Sequence, residues 1–318
     1  MRNTKCDMSD AAPRLHHIAI IGPGAIGCTL AVRLALSRSA LQVTLIDYRP
    51  DRAARLSARP IRLHAPGADM EARIPVRLAP PEPPDLVILA TKATAAAAAA
   101  RSAAAWIGKA HLVAMQNGLG VAREVAEALP GSRVITAVSY QAANVVAEGE
   151  IDHVANLVTY LGYEGRPPDA TVRAVAALFT SAGLPAEVAA DMTPLVWGKL
   201  IINAGINPVA ALAGVRNGQV AARPTLRALA VAMAEEGETV ARAEGVALPY
   251  PSAAEAVVEA ARQSAENRSS MLQDLEAGRT TEIDYINGAI VRLAEPRRLP
   301  VPANRAATAL IKQVTPRP

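Results

Sequence analysis

Three polar side chains recur every four residues within an otherwise apolar stretch of the chain. The stretch WGKLIINAGINPVAALAGVRNG begins at Trp197 and carries Lys199, Asn203 and Asn207. On a helix, a step of four residues turns a side chain by only about 40° and raises it by about 6 Å. All three polar groups would therefore project from one helical face. Buried ammonium and amide groups need partners, so we expect this face to bind polar groups of the protein or a polar small molecule.

Proline follows the last of these asparagines, at Pro208. A proline has no backbone N–H and disfavours the helical conformation of the preceding residue. The sequence therefore predicts that the helix kinks or ends near Asn207, which would free backbone groups for a ligand.

A second pattern, GPGAIG, lies near the start of the chain after HHIAII, a run typical of a strand. A helical segment and a second strand, LQVTLID, follow it, so the motif has the strand–turn–helix–strand context of a dinucleotide-binding site. The first glycine permits a tight turn, the second lets backbone N–H groups approach a pyrophosphate, and the third allows close helix packing. An empty glycine-rich turn is the alternative interpretation. The predicted cofactor-binding residues here are Gly22, Pro23, Gly24, Ala25, Ile26 and Gly27.

Asp47 ends the predicted second strand, twenty residues after Gly27. A carboxylate at this point binds the ribose hydroxyls of NAD and repels the 2′-phosphate of NADP. However, Arg49 and Arg52 follow, and either would reach a phosphate if the loop turned inward. We favour a ribose contact over a purely structural role before Pro50, and the choice between the two cofactors stays open.

Two continuous apolar runs, DLVILATKA from Asp85 and HLVAMQNGLG from His111, are typical of parallel strands buried on both faces. Ligands bind at the carboxyl ends of such strands, which makes Lys92 and Asn117 candidates for cofactor binding. The alternatives are a solvated lysine and a simple turn at Asn117 and Gly118.

After residue 191 the pattern changes from alternating strands and helices to helices alone, predicted at 223–244, 253–267 and 282–294. The sequence thus predicts an α/β Rossmann-type N-terminal domain followed by an all-α C-terminal domain. The expected boundaries are a disordered tail over 1–13, an NAD(P)-binding domain over 14–190, and a helical substrate and dimerisation domain over 191–318.

The composition is that of a folded globular protein, with 318 residues, 51% hydrophobic and 19% charged residues, and a net charge of +4. Aromatic residues are only 3% and the basic residues are scattered, so nucleic-acid binding is not expected. The two cysteines and five histidines have no metal or redox spacing. We found no signal peptide and no apolar run long enough to cross a bilayer. These features predict a reduced, cytoplasmic protein without a metal or a membrane segment.

A series of motifs resembles the ketopantoate reductase (2-dehydropantoate 2-reductase) family over nearly the whole chain after the tail. The resemblance implies reduction of ketopantoate to pantoate, a step towards pantothenate and coenzyme A. It also implies NADPH as cofactor, a small keto acid as substrate, and a homodimer. The motifs are GPGAIG, TKA at 91–93, QNG at 116–118, WGKLIINAGINP with NG at 217–218, SSMLQDL from Ser269, EIDYING from Glu282 and LPVPAN from Leu299.

By the same resemblance, Lys199 is the general acid and Glu282 the carboxylate that binds the hydroxyl end of the substrate. A lysine ammonium would stabilise the charge that builds on the carbonyl oxygen and then donate its proton. Lys92 lies on the cofactor side, and Asn117 and Glu282 belong to the cofactor-binding set as well. The implied substrate-binding residues are Asn117, Asn203, Asn207, Asn217 and Ser270.

The sequence also departs from the family pattern. Asp47 is unusual for an NADPH-using member and makes NADH the alternative cofactor, Gln141 could face the pocket, and Arg297 and Arg298 replace a glycine-containing approach to the closing motif. A dehydrogenase for another 2-keto or hydroxy acid, or for an opine-type substrate, is the alternative enzyme. The alternative that is not an enzyme is a non-catalytic protein that keeps this fold and senses NAD(P).

Overall fold

The computed structural model describes residues 12–38 and 40–315. The chain divides into two compact units. The first comprises Met1–Gln116 and Val121–Met192, and the second comprises Asn117–Gly120 and Thr193–Pro318. The assignment of four residues from a loop of the α/β region to the second unit is a feature that no sequence pattern indicated. The predicted tail over 1–13 lies almost wholly outside the described residues.

The first unit alternates strands and helices, as the sequence predicts. Its helices are α1 (Ala25–Ser37), α2 (Pro50–Ser57), α3 (Ala93–Ala103), α4 (Val121–Ala128) and α5 (Ala170–Ser181). Its strands are β1 (His17–Ile21), β2 (Gln42–Ile46), β3 (Ile61–Ala65), β4 (Ala68–Ala72), β5 (Val76–Arg77), β6 (Leu86–Leu89), β7 (His111–Ala114), β8 (Val134–Ser139), β9 (Ala142–Ala147), β10 (Glu150–Ala155), β11 (Thr159–Gly162) and β12 (Ala186–Val188).

Eight strands form one sheet in the order β12-β11-β8-β7-β6-β1-β2-β5. In this order, every neighbouring pair between β8 and the edge strand β5 is parallel. Strand β11, on the other side of β8, is antiparallel to it. In the centre, Ile18 of β1 lies opposite Val43 and Leu86, and all three side chains are buried. The α/β part of the predicted fold is therefore confirmed.

A second, smaller sheet in the order β4-β3-β10-β9 was missed. The sequence contained a signal for it, because the apolar residues Ile61 and Leu63 alternate with the charged Arg62, as in a half-buried strand. In the structure Ile61 and Leu63 are buried and Arg62 is exposed. The turn at Gly67, with φ 88°, separates β3 from β4. Charged residues shortened the apolar runs on both strands and concealed the hairpin.

Residues 193–315 of the second unit form helices joined by turns and loops, with no strand among them, which confirms the all-α prediction. Its helices are α6 (Thr193–Ala213), α7 (Asn217–Ala222), α8 (Pro224–Ala243), α9 (Ala253–Gln263), α10 (Ser270–Glu276), α11 (Asn287–Ala294) and α12 (Pro302–Val314). The predicted start of one helix at residue 282 is wrong, since residues 282–286 form turns. Ile286 has φ −104° and ψ −96°, outside the helical region, so a continuous helix cannot pass through it.

Helix α6 is the central helix of the second unit. It is long and apolar enough to cross a membrane by length and composition, with a mean hydropathy of 1.4, so the expectation that no run reaches this length is wrong. Within the unit, however, 72% of that apolar window is buried, against α8, α9, α10 and α12. Its hydrophobicity is accounted for by the core of this unit.

Pro208 lies inside α6, and the helix continues beyond it to Ala213. The predicted helix end near Asn207 is therefore wrong, and the alternative prediction, a kink at this point, stays a prediction. Because Pro208 has no N–H, the carbonyl of Ala204 loses the donor that a helix supplies from four residues later. The side chain of Asn287 donates a hydrogen bond of 2.9 Å to this carbonyl, which compensates for the missing donor.

A buried histidine links α1 to the smaller sheet of the first unit. Arg33 Nη2 lies 3.2 Å from His153 Nδ1, so this nitrogen is the acceptor and Nε2 carries the hydrogen that is donated to Gln141 Oε1 at 2.7 Å. The Gln141 amide also donates to Asn156 Oδ1 at 3.0 Å, so these contacts within the unit account for the side chain. Burial, followed by the charge of Arg33, lowers the pKa of His153.

We expect the protein to lose stability as the pH falls from about 7.5 to about 5.5. A histidine with a lowered pKa in the folded state binds its proton more readily when unfolded, so its contribution is complete above its ordinary value of about 6.5 and falls below it. Urea unfolding at both pH values should show a smaller loss for His153→Asn than for the wild type. His16, which is exposed, provides the control variant His16→Asn, and equal losses for the two variants would contradict the assignment to His153.

Candidate functional site

The glycine turn after β1 has the geometry that a dinucleotide needs. Gly22 has φ 104°, and its N–H donates to the Ile46 carbonyl at 3.0 Å. A Cβ on Gly27 would lie 2.0 Å from the Gly22 oxygen, whereas a Cβ on Gly24 would have no atom within 4 Å. The first and third glycines are therefore required by the turn, and the second leaves open space at the N-terminus of α1.

Two buried polar atoms lie without a protein partner among the described residues at the ends of β6 and β7. They are Thr91 Oγ1 and Gln116 Oε1, and the Gln116 amide donates to the Leu89 and Thr91 carbonyls at 2.8 and 3.1 Å. Unpaired polar atoms beside a glycine turn fit a polar ligand. Neither residue was predicted as a site residue, although both belong to the TKA and QNG motifs. Lys92 follows Thr91 and immediately precedes α3.

Asp47 lies at the end of β2, where a ribose would bind, but its carboxylate is already engaged. Arg52 Nη2 donates to Asp47 Oδ1 at 2.7 Å, and Arg52 Nε contacts the other oxygen. The Arg49 N–H adds a third hydrogen bond, of 3.2 Å. Asp47 is 1% exposed, whereas Arg49 is exposed and its guanidinium lies 5.9 Å from the Tyr48 ring centre. The two arginines that follow the strand therefore have different environments.

Lys199, Asn203 and Asn207 lie on one face of α6 in the second unit. Asn207 is buried, and the other two side chains are half-buried. Desolvation lowers the pKa of Lys199 to about 8, while the charge of Glu282 opposes this shift. The ammonium is therefore more acidic than that of an exposed lysine, and a neighbouring carboxylate still favours its charged form.

Glu282 lies in the turn that precedes α11 and is 5% exposed. This turn packs against the Asn117–Gly120 segment of the same unit, because the Leu119 N–H donates to the Tyr285 carbonyl at 3.0 Å. A Cβ on Gly118 would lie 2.6 Å from the Tyr285 Cβ, so glycine is needed for this close approach. Asn117, which is half-buried, is thereby held near the turn that carries Glu282.

The remaining predicted substrate residues lie around the starts of α7 and α10. Asn217 donates from Nδ2 to Ser264 Oγ at 3.0 Å, while its buried Oδ1 has no partner among the described residues. Ser269 caps α10 by accepting from the Leu272 N–H at 3.2 Å, and its hydroxyl lies 3.5 Å from the Asn207 carbonyl. Ser270 is the first residue of α10 and is half-buried, so capping does not explain it.

Thr281 is a further polar residue that the sequence did not identify as part of the site. It directly precedes Glu282, is 3% exposed, and its hydroxyl has no partner among the described residues. Within the same described part of the chain, no group of three or more His, Cys, Asp or Glu could hold a metal ion.

Family models match both parts of the chain. One, described as "Ketopantoate reductase PanE/ApbA", matches residues 18–165. The other, described as "Ketopantoate reductase PanE/ApbA C terminal", matches residues 191–315. Together they include the glycine turn, Asp47, Lys199 and Glu282.

Individual proteins are similar over almost the full length. The 2-dehydropantoate 2-reductase of Halobacterium salinarum is 32% identical over 302 residues, which cover 93% of this chain and 97% of the relative. The crystal structure of a PanE/ApbA family ketopantoate reductase from Ralstonia eutropha has a TM-score of 0.85 and 31% identity, covering 94% of this chain and 98% of that chain. A D-mandelate dehydrogenase solved with NADH has a TM-score of 0.85 at 22% identity, covering 94% of this chain and 98% of that chain, and shows the fold alone.

Two alanine substitutions in the glycine turn should have different effects. We expect Gly24→Ala to leave stability within about 1 kcal/mol of the wild type but to weaken NAD(P)H binding at least about tenfold, because its methyl group would fill space that a pyrophosphate needs. Gly27→Ala should lower the melting temperature strongly, because its Cβ overlaps the Gly22 carbonyl. Thermal unfolding and fluorescence titration measure the two effects. Unchanged affinity for NADPH and NADH in a folded Gly24→Ala variant would argue against dinucleotide binding at this turn.

Proposed function

Because the chain belongs to the ketopantoate reductase family, we propose that it reduces ketopantoate to pantoate with NAD(P)H. The observation that carries this proposal is the acidified Lys199 on the same helical face as Asn203 and Asn207, within the electrostatic influence of Glu282. This arrangement combines a proton donor with amide groups suited to a small hydroxylated keto acid.

The first unit has the features of a dinucleotide-binding domain. The open backbone at Gly24 and the N-terminus of α1 suit the pyrophosphate, and the unpaired oxygens of Thr91 and Gln116 offer polar contacts to the rest of the cofactor. In this proposal Lys92 is one of the residues that bind the cofactor. The bound cofactor supplies the hydride.

Lys199 donates a proton to the C2 carbonyl oxygen of the keto acid. As C2 gains its new C–H bond, the π electrons of the carbonyl move to oxygen, and the ammonium stabilises this charge before the proton is transferred. A donor with a pKa of about 8 is charged at neutral pH yet releases its proton more readily than an ordinary lysine. Glu282 keeps the pKa from falling further and accepts a hydrogen bond from the substrate hydroxyl.

The amides of the second unit bind the remaining polar groups of the substrate. Asn203 and Asn207 each offer two donors and an acceptor, which suits a molecule that carries both a carboxylate and a hydroxyl. Asn117, Asn217 and Ser270 complete the set of substrate-binding residues in this proposal. The unpaired Oδ1 of Asn217 supports its inclusion.

We expect Lys199→Ala to lower kcat for ketopantoate reduction by about 10²- to 10⁴-fold, the usual contribution of a general acid. The affinity for the cofactor should change little, because Lys199 is not among the proposed cofactor-binding residues. Cofactor oxidation followed at 340 nm measures the first effect, and fluorescence titration the second. Lys109→Ala is the matched control, because Lys109 is exposed in the first unit, and it should retain wild-type turnover.

The wild-type kcat should also fall as the pH rises through about 8, where Lys199 loses its proton. Glu282→Gln should move this midpoint to lower pH, because it removes the charge that raises the pKa of Lys199. Unchanged turnover in Lys199→Ala would overturn the general-acid role. A wild type that reduces other 2-keto acids but not ketopantoate would overturn the substrate assignment alone.

We further propose that the enzyme prefers NADPH to NADH. Asp47 would repel a 2′-phosphate only if its charge were uncompensated, and Arg52 neutralises it in a two-point ion pair. The hydrogen bond to Asp47 also raises the pKa of Arg52, so the guanidinium stays charged. In this proposal the exposed Arg49 receives the 2′-phosphate, with Arg52 adding positive charge.

The ratio of kcat/KM for NADPH to that for NADH tests this preference. We expect Arg49→Ala to lower the ratio about tenfold or more, by loss of a charge-assisted contact to the phosphate. Arg52→Ala should lower it as well, because it leaves Asp47 able to repel the phosphate and to bind the ribose hydroxyls. Arg55 lies on the same helix and pairs with Glu148, so Arg55→Ala is the control. A wild type that uses NADH better would restore the ribose contact predicted for Asp47.

Assembly and location in the cell stay predictions. We expect a homodimer and a cytoplasmic enzyme, in keeping with its proposed role in coenzyme A biosynthesis. A ketopantoate reductase from Staphylococcus aureus is described as dimeric, which supports the first expectation.

A further inference from the structure

The backbone of α6 has a carbonyl that the helix itself cannot pair. The N–H that would reach the Ala204 oxygen is absent, because Pro208 occupies the required position. Asn287 Nδ2 donates to this oxygen at 2.9 Å, and the Asn287 side chain is fully buried. The hydrogen bond that a backbone N–H within the helix would normally donate to this carbonyl is thus donated by a side chain of α11.

The direction of the Asn287 amide is determined by its neighbours. The Ala204 carbonyl can only accept, and the same Nδ2 donates to Asn304 Oδ1 at 2.9 Å. Asn304 in turn donates to the Met233 carbonyl at 3.0 Å and to Glu236 Oε2 at 2.8 Å. Each donor in this buried chain has a defined acceptor, so Asn287 cannot flip without losing contacts.

Glu236 on α8 fixes the other end of this network. Its two carboxylate oxygens accept from the Ala303 and Asn304 N–H groups at 2.8 and 2.9 Å, at the N-terminus of α12. A carboxylate is stabilised at this end of a helix. The network therefore joins α6 and α11 to two further helices that contain none of the proposed catalytic residues.

Asn287 and its partner Ala204 are each close in sequence to one of the two proposed reactive residues, Glu282 and Lys199. Ala204 follows Asn203 directly and is five residues beyond Lys199. Asn287 is five residues beyond Glu282, at the end of a turn closed by the Tyr285 and Ile286 N–H groups, which donate to the Glu282 carbonyl at 3.0 and 3.1 Å. One side-chain amide thus connects the segment that carries the ammonium to the segment that carries the carboxylate.

We propose that Asn287 is a positioning residue that holds Lys199 beside Glu282 by binding the Ala204 carbonyl. The inference rests on the proposed function in that Lys199 is the proton donor. Without this bond, apolar residues of both helices, such as Ile201 and Ile290, would still belong to the same hydrophobic core. The bond restricts sliding and rotation of α6 relative to the Glu282 turn, movements to which a short-range charge interaction is sensitive.

The test uses the full-length chain and a readout of Lys199 that does not require turnover. The extent of Lys199 acetylation by acetic anhydride is measured across pH by peptide mass spectrometry, and its midpoint reports the pKa of the amine. Asn287→Ala should move this midpoint below the wild-type value of about 8, because Lys199 loses the influence of Glu282 while it remains desolvated. The same variant should lower kcat for ketopantoate by about 10- to 100-fold.

A second substitution shows whether the Ala204 carbonyl is the point of action. Pro208→Ala restores a backbone N–H that can pair with this carbonyl, so the double variant Asn287→Ala/Pro208→Ala should recover the midpoint and most of kcat. Asn304→Ala is the matched control. Asn304→Ala removes a hydrogen-bond partner of Asn287 but leaves the Asn287 bond to the Ala204 carbonyl in place. Any loss of stability or kcat in this variant should therefore not be recovered by adding Pro208→Ala. Asn287→Ser is used if the alanine variant does not fold.

Two results would overturn the proposal. One is a lowered melting temperature with an unchanged or raised Lys199 midpoint, which would give Asn287 a purely structural role. The other is equal rescue of Asn287→Ala and Asn304→Ala by Pro208→Ala. If the wild type reduces no keto acid, the proposed function fails, but the labelling midpoints still decide whether Asn287 controls the environment of Lys199.

Discussion

The partial desolvation of one lysine is the constraint on which the helical unit depends. An apolar central helix supplies the core, and it also removes water from the Lys199 ammonium and lowers its pKa to about 8. Without Glu282 the same burial would favour the neutral amine even more. The packing of α6 and the acidity of Lys199 therefore cannot be varied separately. A more apolar α6 would strengthen the core and weaken the positive charge that the proposed proton donor needs.

Among the described residues, the buried side-chain oxygens without a partner lie mostly at or next to predicted site residues, and Asn287 Oδ1 in the buried network is the exception. Around α11 and α12, the Asn304 amide and the Glu236 carboxylate are engaged in a buried network. Asn217, whose buried Oδ1 is unpaired, is itself a predicted substrate residue, and Thr281, whose buried hydroxyl is unpaired, directly precedes Glu282. Unpaired buried groups are costly, and a polar ligand would provide the partners that these two oxygens lack.

The sequence predicted the features that depend on local patterns. The glycine turn, the apolar strands of the main sheet and the polar face of α6 follow from spacing alone, and the structure contains each of them. The smaller sheet was missed because its strands are short and charged. The role of Asn287 could not be predicted, since its partner Ala204 lies 83 residues away. For Asp47, the sequence favoured a ribose contact over a structural role before Pro50 and did not indicate a pairing with Arg52, which only the folded loop showed.

The segment Asn117–Gly120 has a consequence for modularity. It is encoded within the α/β half but belongs to the helical unit, where Leu119 pairs with the Tyr285 carbonyl and Gly118 provides the close approach. Cutting the gene near residue 192 would therefore yield a helical fragment without one of its own pieces. Recombination between relatives at that point would combine a Tyr285 turn from one parent with a loop from the other. The two halves must consequently be inherited together, although each has its own hydrophobic core.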